Sequence, residues 1–224
     1  MIIHSLFLCY NKIGDVMRIL CYGDSNTWGY IPNINGYSKD AIMQKYDDKD
    51  CWWYPLMQNN NVFINGLCGR CIAHENKWLK NRNAFKTIYS DLQFYTDLDL
   101  IIVQLGTNDC KSEYQDSSQD ITYNLELLLE TIKKQTKANI VVISPAIIVE
   151  NNKITQRYYI GAQKKSSELD SLFGKLCTEK GYQFISGKDL ETGEDGEHFT
   201  KLSHNRLGSR VLSKINELTN TREM

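Results

Sequence analysis

Ser25 stands at the end of a short apolar run, within the segment ILCYGDSNTWGY that spans residues 19–30. A serine hydroxyl becomes a good nucleophile only when a base takes its proton and an acid holds that base in the correct tautomer. His198 follows Asp195 with the spacing D-x-x-H, which can bring the carboxylate under Nδ1 of the imidazole and leave Nε2 to face a serine. These three residues predict a Ser-His-Asp triad.

Three groups at predicted strand ends are candidates to bind the oxyanion that forms when a serine attacks a carbonyl carbon. They are the backbone N–H of Ser25, the backbone N–H of Gly69 in NGLCGR and the side-chain amide of Asn108 in LGTND. Such donors work best when they are already in place before the charge develops. A nucleophile, a base, an orienting acid and three donors together predict acyl transfer.

Each of these residues also has a structural interpretation when it is taken alone. A serine after a strand is commonly a helix N-cap, an asparagine in GTND is commonly a turn residue, and a lone histidine is commonly structural. Asp24 and Asp109 are interpreted here as structural acids that accept from nearby loop amides. Catalysis is favoured because separate structural explanations would be needed at every strand end at once.

Two other interpretations compete with the triad. Cys68 and Cys71 have the spacing of a redox dithiol, whose first thiol would be activated at a helix N-terminus. The segment from Ser25 to Thr27 would alternatively hold a phosphate in a flavodoxin-like binding module. That second idea leaves the Asp195/His198 pair without a role, and the chain contains no G-x-G-x-x-G, Walker A or G-x-S-x-G motif.

The elements that position these residues are read from apolar periodicity. Nearly continuous apolar runs predict strands that are buried on both faces of a parallel sheet. Apolar residues at helical spacing lie between and after them, with Leu169 and Phe173 in one such segment and Leu207 and Val211 in another. The alternation predicts a three-layer α/β/α fold with a doubly wound five-stranded parallel sheet. The predicted strands are Arg18–Gly23, Asn61–Gly66, Leu98–Gly106, Asn139–Ala146 and Tyr182–Gly187.

Bulk properties place the chain among ordinary globular proteins. The 224 residues predict one domain over residues 17–224, preceded by an extension, residues 1–16, of doubtful status. A net charge of −1 without long runs of one sign argues against nucleic-acid and membrane-surface partners. The seven scattered cysteines suit reduced thiols in a cytoplasmic protein.

At this point the motifs resemble those of the SGNH (GDSL-type) hydrolases. YGDSNTWG is similar to the first block of that family, NGLCGR to the second, LGTND to the third and DGEHFT to the fifth, all in the family's order. The resemblance assigns the four letters of the family name to Ser25, Gly69, Asn108 and His198, with Asp195 as the triad acid. It covers about residues 18–212 and includes a flavodoxin-like sheet.

Within that family the chain looks most similar to the arylesterase and acyltransferase branch. That branch implies a small-molecule ester substrate with a short, acetyl-type acyl group, no metal, no cofactor and a homo-oligomer. Candidate pocket walls follow strand ends or site residues, and four further aromatic residues would line the alcohol side or a subunit interface. The pocket candidates are Trp28, Ile147, Ile148 and Phe199, and the aromatic set is Tyr37, Tyr46, Trp52 and Trp53.

The chain also departs from the family pattern. Asn26 replaces the leucine or isoleucine of GDSL, a change expected to affect packing more than chemistry. His204, Asn205 and Arg206 stand where many relatives carry a glycine-histidine pair. The alternatives to a short-chain esterase are a carbohydrate O-acetylesterase, a lysophospholipase or thioesterase, and an SGNH-like binding module without turnover.

Overall fold

Five parallel strands form one sheet in the order β2-β1-β3-β4-β5. The computed structural model describes residues 16–36, 42–77 and 79–220, so most of the predicted extension lies outside the described residues. All four strand pairings are parallel, as predicted for a doubly wound sheet. The strands are β1 (Arg18–Gly23), β2 (Asn61–Gly66), β3 (Leu100–Gln104), β4 (Asn139–Ile143) and β5 (Gln183–Ile185).

Helices cover both faces of the sheet, which confirms the predicted three-layer α/β/α architecture. Short 3₁₀ turns occupy Asp48–Asp50, Tyr54–Gln58, Asn108–Cys110 and Ser112–Tyr114. No helix in the described ranges has the length and apolar character needed to cross a membrane. The helices are α1 (Ser25–Trp28), α2 (Ala84–Gln93), α3 (Ser118–Gln135), α4 (Thr155–Tyr158), α5 (Ala162–Lys180) and α6 (Lys201–Asn220).

The period-two alternation of the strands divides the core into two clusters. Leu20 and Tyr22 of β1 face a cluster with the apolar sides of α2, α3 and α5. Ile19 and Cys21 face the opposite cluster, which includes α6, the two tryptophans before Tyr54–Gln58 and Leu56 within that turn. The central strands are therefore buried on both faces, and this burial holds their carboxyl ends in fixed relative positions.

The predicted bounds of β1 and β2 are confirmed, whereas β3, β4 and β5 are shorter than predicted. The apolar run around β3 extends beyond the ladder because Leu98 and Leu105 are buried without belonging to the strand. Helix α2 was not predicted, although Asn83 caps it by accepting from the N–H of Lys86.

Strand order places the ends of β1 and β3 side by side. The chain leaves β1 toward β2 on one side, while β3 lies on the other, which makes this edge the topological switch point of the sheet. The segments after these two strands carry Ser25 and Asn108. Ligands of open α/β sheets bind at this edge.

Candidate active site

Ser25 is the first residue of α1, immediately beyond the end of β1. The side chain of Asp24 caps this short helix by accepting from the N–H of Asn26 at 2.9 Å. Asp24 therefore supplies the cap that Ser25 would supply under the structural interpretation, and the hydroxyl of Ser25 is directed elsewhere. It lies 2.8 Å from Nε2 of His198.

His198 connects Ser25 to Asp195 in one hydrogen-bonded chain. Its Nδ1 lies 2.9 Å from Oδ2 of Asp195. Because a carboxylate only accepts, Nδ1–H donates to Asp195, and Nε2 is left to accept from the Ser25 hydroxyl. The structure thus brings together the three residues predicted as a triad, although Ser25 and His198 are 173 residues apart in the chain.

Backbone donors hold the carboxylate of Asp195 in its ionised form. Oδ1 accepts from the N–H groups of Glu197 and His198 at 3.2 and 3.1 Å, and Oδ2 accepts from the N–H of Asn33 at 2.9 Å. Burial opposes ionisation, but the hydrogen bonds and charge of His198 outweigh it and hold the pKa of Asp195 below its ordinary value. The loop after α1 therefore helps to position the acid.

Several carboxylates surround the imidazole of His198. Burial by itself lowers the pKa of His198, but the negative charges of Glu197, Asp195 and Asp24 together raise that pKa above its ordinary value. The ring of Tyr30 stacks on the imidazole with 4.2 Å between centroids. These contacts fix the orientation of the ring and favour the imidazolium that a general base forms.

The predicted oxyanion donors lie on the segments after β1, β2 and β3. No described residue accepts from the N–H of Ser25 or of Gly69, so both groups are free to donate to a substrate. Gly69 has φ +80°, and a Cβ there would stand 3.0 Å from Nδ2 of Asn76, which explains the glycine. Asn108 donates one amide hydrogen to the carbonyl of Arg70 at 3.2 Å, which leaves its second hydrogen available.

Arg70 is a structural residue of the site that the sequence analysis did not single out. Its guanidinium donates to the carbonyls of Gly23 and Asn65 at 2.9 and 2.6 Å, and to Oδ1 of Asn65 at 2.8 Å. It also packs 4.0 Å from the centroid of the Tyr22 ring. The buried arginine therefore ties the ends of β1 and β2 to the segment that carries Gly69 and supports Asn108.

Asn26 contributes more than the packing change expected from the sequence. Its Nδ2 donates to the carbonyl of Glu197 at 3.3 Å, and its Oδ1 accepts from the N–H of Phe199 at 2.8 Å. The two bonds bracket His198 on both sides. A leucine or isoleucine at this position would lack both bonds, so here the serine helix holds the histidine loop through an amide.

The structure divides the predicted pocket residues into two groups. Trp28 and Ile147 are half-buried near the carboxyl edge of the sheet. Ile148 and Phe199 are instead fully buried, one in each hydrophobic cluster, so they are core residues and not the predicted pocket walls. An apolar residue next to a predicted site residue can line a pocket or pack in the core. The local sequence does not distinguish these two cases.

The predicted set of aromatic residues is corrected in the same way. Trp52 and Trp53 are buried in the α6-side cluster, and Nε1 of Trp53 donates to the carbonyl of Thr27 at 2.8 Å. Trp53 therefore supports the serine turn from the core, and neither tryptophan lines an alcohol site or a subunit interface. Tyr46 is half-buried against this cluster, and Tyr37 lies outside the described residues.

The cysteine pair of the competing redox interpretation lacks an activated thiol. Cys68 and Cys71 are free, and the turn that contains them is not followed by a helix N-terminus. Burial raises the pKa of Cys68 to about 12, with a contribution from the charge of Asp24, and burial also raises the pKa of Cys71. Both side chains are therefore thiols near neutral pH, whereas exchange requires thiolates.

The two acids interpreted as structural are confirmed in that role. Asp24 caps α1, and Oδ1 of Asp109 accepts from the N–H of Ile72 at 2.8 Å. Burial raises the pKa of Asp24 to about 6 and that of Asp109 to about 7. Within residues 16–36, 42–77 and 79–220, no group of three or more His, Cys, Asp or Glu side chains is placed to hold a metal ion.

Residues 21–207 match the model of the GDSL-like lipase/acylhydrolase family. The chain belongs to this family. The match includes Ser25, Gly69, Asn108, Asp195 and His198, which are the five residues assembled at the carboxyl edge of the sheet. A search of curated proteins found no match.

Solved structures of esterases share this fold over nearly their whole length. An aryl esterase from M. smegmatis is 25% identical, with a TM-score of 0.83, and the match covers 91% of this chain and 100% of that one. A carbohydrate acetylesterase from Sinorhizobium meliloti is 23% identical, with a TM-score of 0.82 and coverage of 90% and 99%. The GDSL-family chain described here is a carboxylic ester hydrolase with the SGNH hydrolase fold.

Proposed function

We propose that the protein is a serine esterase that hydrolyses short-chain, acetyl-type esters of small molecules through a covalent acyl-enzyme. The observation that carries this proposal is the hydrogen-bonded chain from Ser25 through His198 to Asp195, with distances of 2.8 and 2.9 Å. Asp24 satisfies the helix cap, so Ser25 is available for chemistry. The alignment of donors and acceptors is that required for a nucleophile, a base and an orienting acid.

In the proposed reaction, Oγ of Ser25 attacks the ester carbonyl carbon while Nε2 of His198 takes the hydroxyl proton. The carbonyl oxygen becomes an oxyanion that accepts from the N–H groups of Ser25 and Gly69 and from the amide of Asn108. His198 then gives its proton to the leaving alkoxide, and the C–O bond of the ester breaks. Asp195 stabilises the imidazolium throughout and remains ionised.

The second half of the proposed reaction repeats these steps with water as the nucleophile. His198 takes a proton from water, the hydroxide attacks the acyl-enzyme, and Ser25 leaves as the protonated alcohol. A second alcohol in place of water would give acyl transfer by the same route. The balance between the two outcomes depends on which nucleophile occupies the site.

The burial of the site supports a small acyl group. Ser25, Asn108 and His198 are only 4%, 3% and 6% exposed, so the nucleophile is recessed among its neighbours. Tyr30 covers one face of His198, and Trp28 lies beside Tyr30 with 6.3 Å between ring centroids. An acetyl group requires less space than a long acyl chain at such a site.

The test is hydrolysis of p-nitrophenyl acetate, butyrate and octanoate by the wild type, by Ser25→Ala and by Ser90→Ala. Ser90 is exposed on α2 and serves as the matched control. We expect acetate to react fastest and Ser25→Ala to lose about 10⁶-fold in kcat, with a melting temperature close to that of the wild type. A folded Ser25→Ala protein that retains wild-type turnover would refute the proposed nucleophile, and fastest turnover of octanoate would refute the short-chain preference.

An acetylated sugar is the second substrate to test, because a carbohydrate acetylesterase family member from Sinorhizobium meliloti is 25% identical to this chain, with a TM-score of 0.79. Release of acetate from a peracetylated monosaccharide would extend the proposal to carbohydrate O-acetyl esters. Absence of release alongside turnover of aryl acetates would restrict it to activated esters.

A further inference from the structure

Glu197 is a second buried acid next to His198. The residue is 2% exposed, and its Oε1 lies 4.0 Å from Nδ1 of His198, the same nitrogen that donates to Asp195. Glutamate is rarely buried unless it is paired. Its carboxylate therefore requires a partner to remain in this position.

Tyr159 supplies that partner. Its hydroxyl donates to Oε2 of Glu197, and its side chain is fully buried just beyond the end of α4. Nζ of Lys111 lies 5.6 Å from the centroid of the Tyr159 ring, which places a cation next to that ring. The carbonyl of Glu197 is held separately, by Asn26. Both ends of the residue are thus fixed, with one oxygen directed toward the imidazole.

The other groups that face His198 come from every element around it. Asp195 and Glu197 belong to its own loop, Asp24 to the turn after β1, Tyr30 to the loop after α1 and His204 to α6. Of the carboxylates, Asp195 makes the direct bond and Asp24 caps α1. Glu197 is the remaining acid, and it has no part in the proposed proton transfer between Ser25 and His198.

We propose that Glu197, anchored by Tyr159, is a positioning residue that stabilises the imidazolium form of His198 together with Asp195. The inference rests on the proposed role of His198 as the base for Ser25. When His198 takes the serine proton, its new positive charge lies beside two fixed carboxylates, both of which approach Nδ1. The charge-separated transition state is therefore stabilised more than the neutral ground state. The negative charge of Glu197 contributes to the raised pKa of His198.

The experiment compares Glu197→Gln with Glu194→Gln in the full chain. Glu194 lies on the same loop but is exposed, so its variant makes the same chemical change away from the imidazole. Oε1 of Glu194 accepts from the N–H of Ile34 at 3.1 Å, and glutamine retains an oxygen that can accept this bond. The readouts are kcat and KM for p-nitrophenyl acetate between about pH 5 and about pH 9. The pH profile of kcat/KM reports the titration of the essential base in the free enzyme. Melting temperatures establish that each variant is folded.

For Glu197→Gln we expect the acidic limb of the profile to move to lower pH, because removal of a negative charge disfavours the imidazolium. We also expect kcat at the plateau to fall by about tenfold with little change in KM, because the missing charge acts in the transition state. Glu194→Gln should leave both the limb and the plateau in place.

Tyr159→Phe tests the anchor and is informative even where Glu197→Gln fails to fold. It removes only the hydroxyl that donates to Glu197, and the acidic limb should move in the same direction by a smaller amount. The inference is overturned when folded Glu197→Gln or Tyr159→Phe protein keeps the wild-type limb and plateau and changes only in melting temperature. Parallel assay of Ser25→Ala separates the two proposals. Wild-type turnover of folded Ser25→Ala refutes the triad, whereas a large loss of turnover there, together with an unmoved acidic limb in Glu197→Gln, refutes only the role of Glu197.

Discussion

His198 lies in the loop before α6, and His204 lies in the first turn of α6. Both histidines are buried, yet their surroundings shift their pKa values in opposite directions. Carboxylates around His198 raise its pKa despite burial. Burial and the charge of His198 lower the pKa of His204 to about 4. Burial alone therefore produces a neutral histidine, and only fixed negative partners make a buried histidine a strong base.

Their hydrogen bonds reflect the same difference. Nδ1 of His198 donates to Asp195, whereas Nδ1 of His204 accepts from the N–H of Trp52 at 3.3 Å. Edge-on contacts with Tyr46 and Phe199, at 5.4 and 5.5 Å between centroids, complete the setting of His204. The hydrogen bonds of His198 suit the proposed proton transfer, whereas those of His204 serve packing.

The largest expected effect is the difference in activity between variants of the two histidines. His198→Gln should reduce kcat/KM for p-nitrophenyl acetate by about 10⁶-fold, because the proposed base is lost. His204→Gln should cost less than about tenfold per folded molecule, because the ring touches no reacting atom. Steady-state kinetics on both variants, corrected for the folded fraction, makes the measurement. Equal losses in the two variants would show that the distinction between the two regions is wrong.

The next effect concerns the acid that distinguishes the two histidines. Asp195→Asn should lower kcat by about 10⁴-fold, because an amide that donates to Nδ1 stabilises the wrong tautomer of His198. Asp189→Asn is the matched control, since Asp189 is an exposed acid paired with Arg210. An Asp195→Asn enzyme with kcat close to that of Asp189→Asn would exclude Asp195 as the orienting acid.

The smallest effect is on the pH dependence of stability. The pKa of His204 is near its ordinary value of 6.5 when unfolded and about 4 when folded, so the unfolded state binds more protons between these values. This difference contributes about 3 kcal/mol to the free energy of unfolding. The contribution is complete above pH 6.5 and is lost as pH falls through about 4. The raised pKa of His198 acts oppositely, since its contribution is present below the ordinary value and is lost as pH rises through the folded one.

Urea unfolding at about pH 7 and about pH 5 checks this expectation. His204→Gln should reduce the loss of stability toward acid, because glutamine does not titrate and its Oε1 can still accept from the N–H of Trp52. His198→Gln should increase that loss, because the opposing contribution is removed. The same pH dependence in both variants and in the wild type would contradict the two assigned pKa directions.

Much of the fold could be predicted because its signals are local. The bounds of β1 and β2 follow from apolar runs that end at Gly23 and Gly66, and the parallel, doubly wound sheet follows from alternation of runs and amphipathic segments. The ends of β3 were less accurate because the apolar Leu98 and Leu105 lie outside the paired backbone, and β4 and β5 are also shorter than predicted. Helix α2 was missed, although Ala84, Ile88 and Leu92 have helical spacing after the Asn83 cap.

The candidate site was predictable where chemistry restricts residue type and was not predictable where packing decides. Ser25, Asp195 and His198 carry motif and spacing signals. The burial of Ile148 and Phe199 depends on the elements that pack over them, and nothing in the neighbouring sequence shows it. An absence of long-range information also explains why Trp52 and Trp53 were assigned to a pocket or an interface.

The sequence by itself determined the family, the parallel sheet and the residue types available at its carboxyl edge, because these depend on short motifs and local periodicity. Only the tertiary structure decided which acids act together. Glu197 has no local feature that separates it from a solvated glutamate, and it is buried because Tyr159, 38 residues away in the chain, donates to it. Electrostatic interactions depend on distance and burial in space, so the charge around His198 exists only once α4, the β1 turn and the loop before α6 have come together.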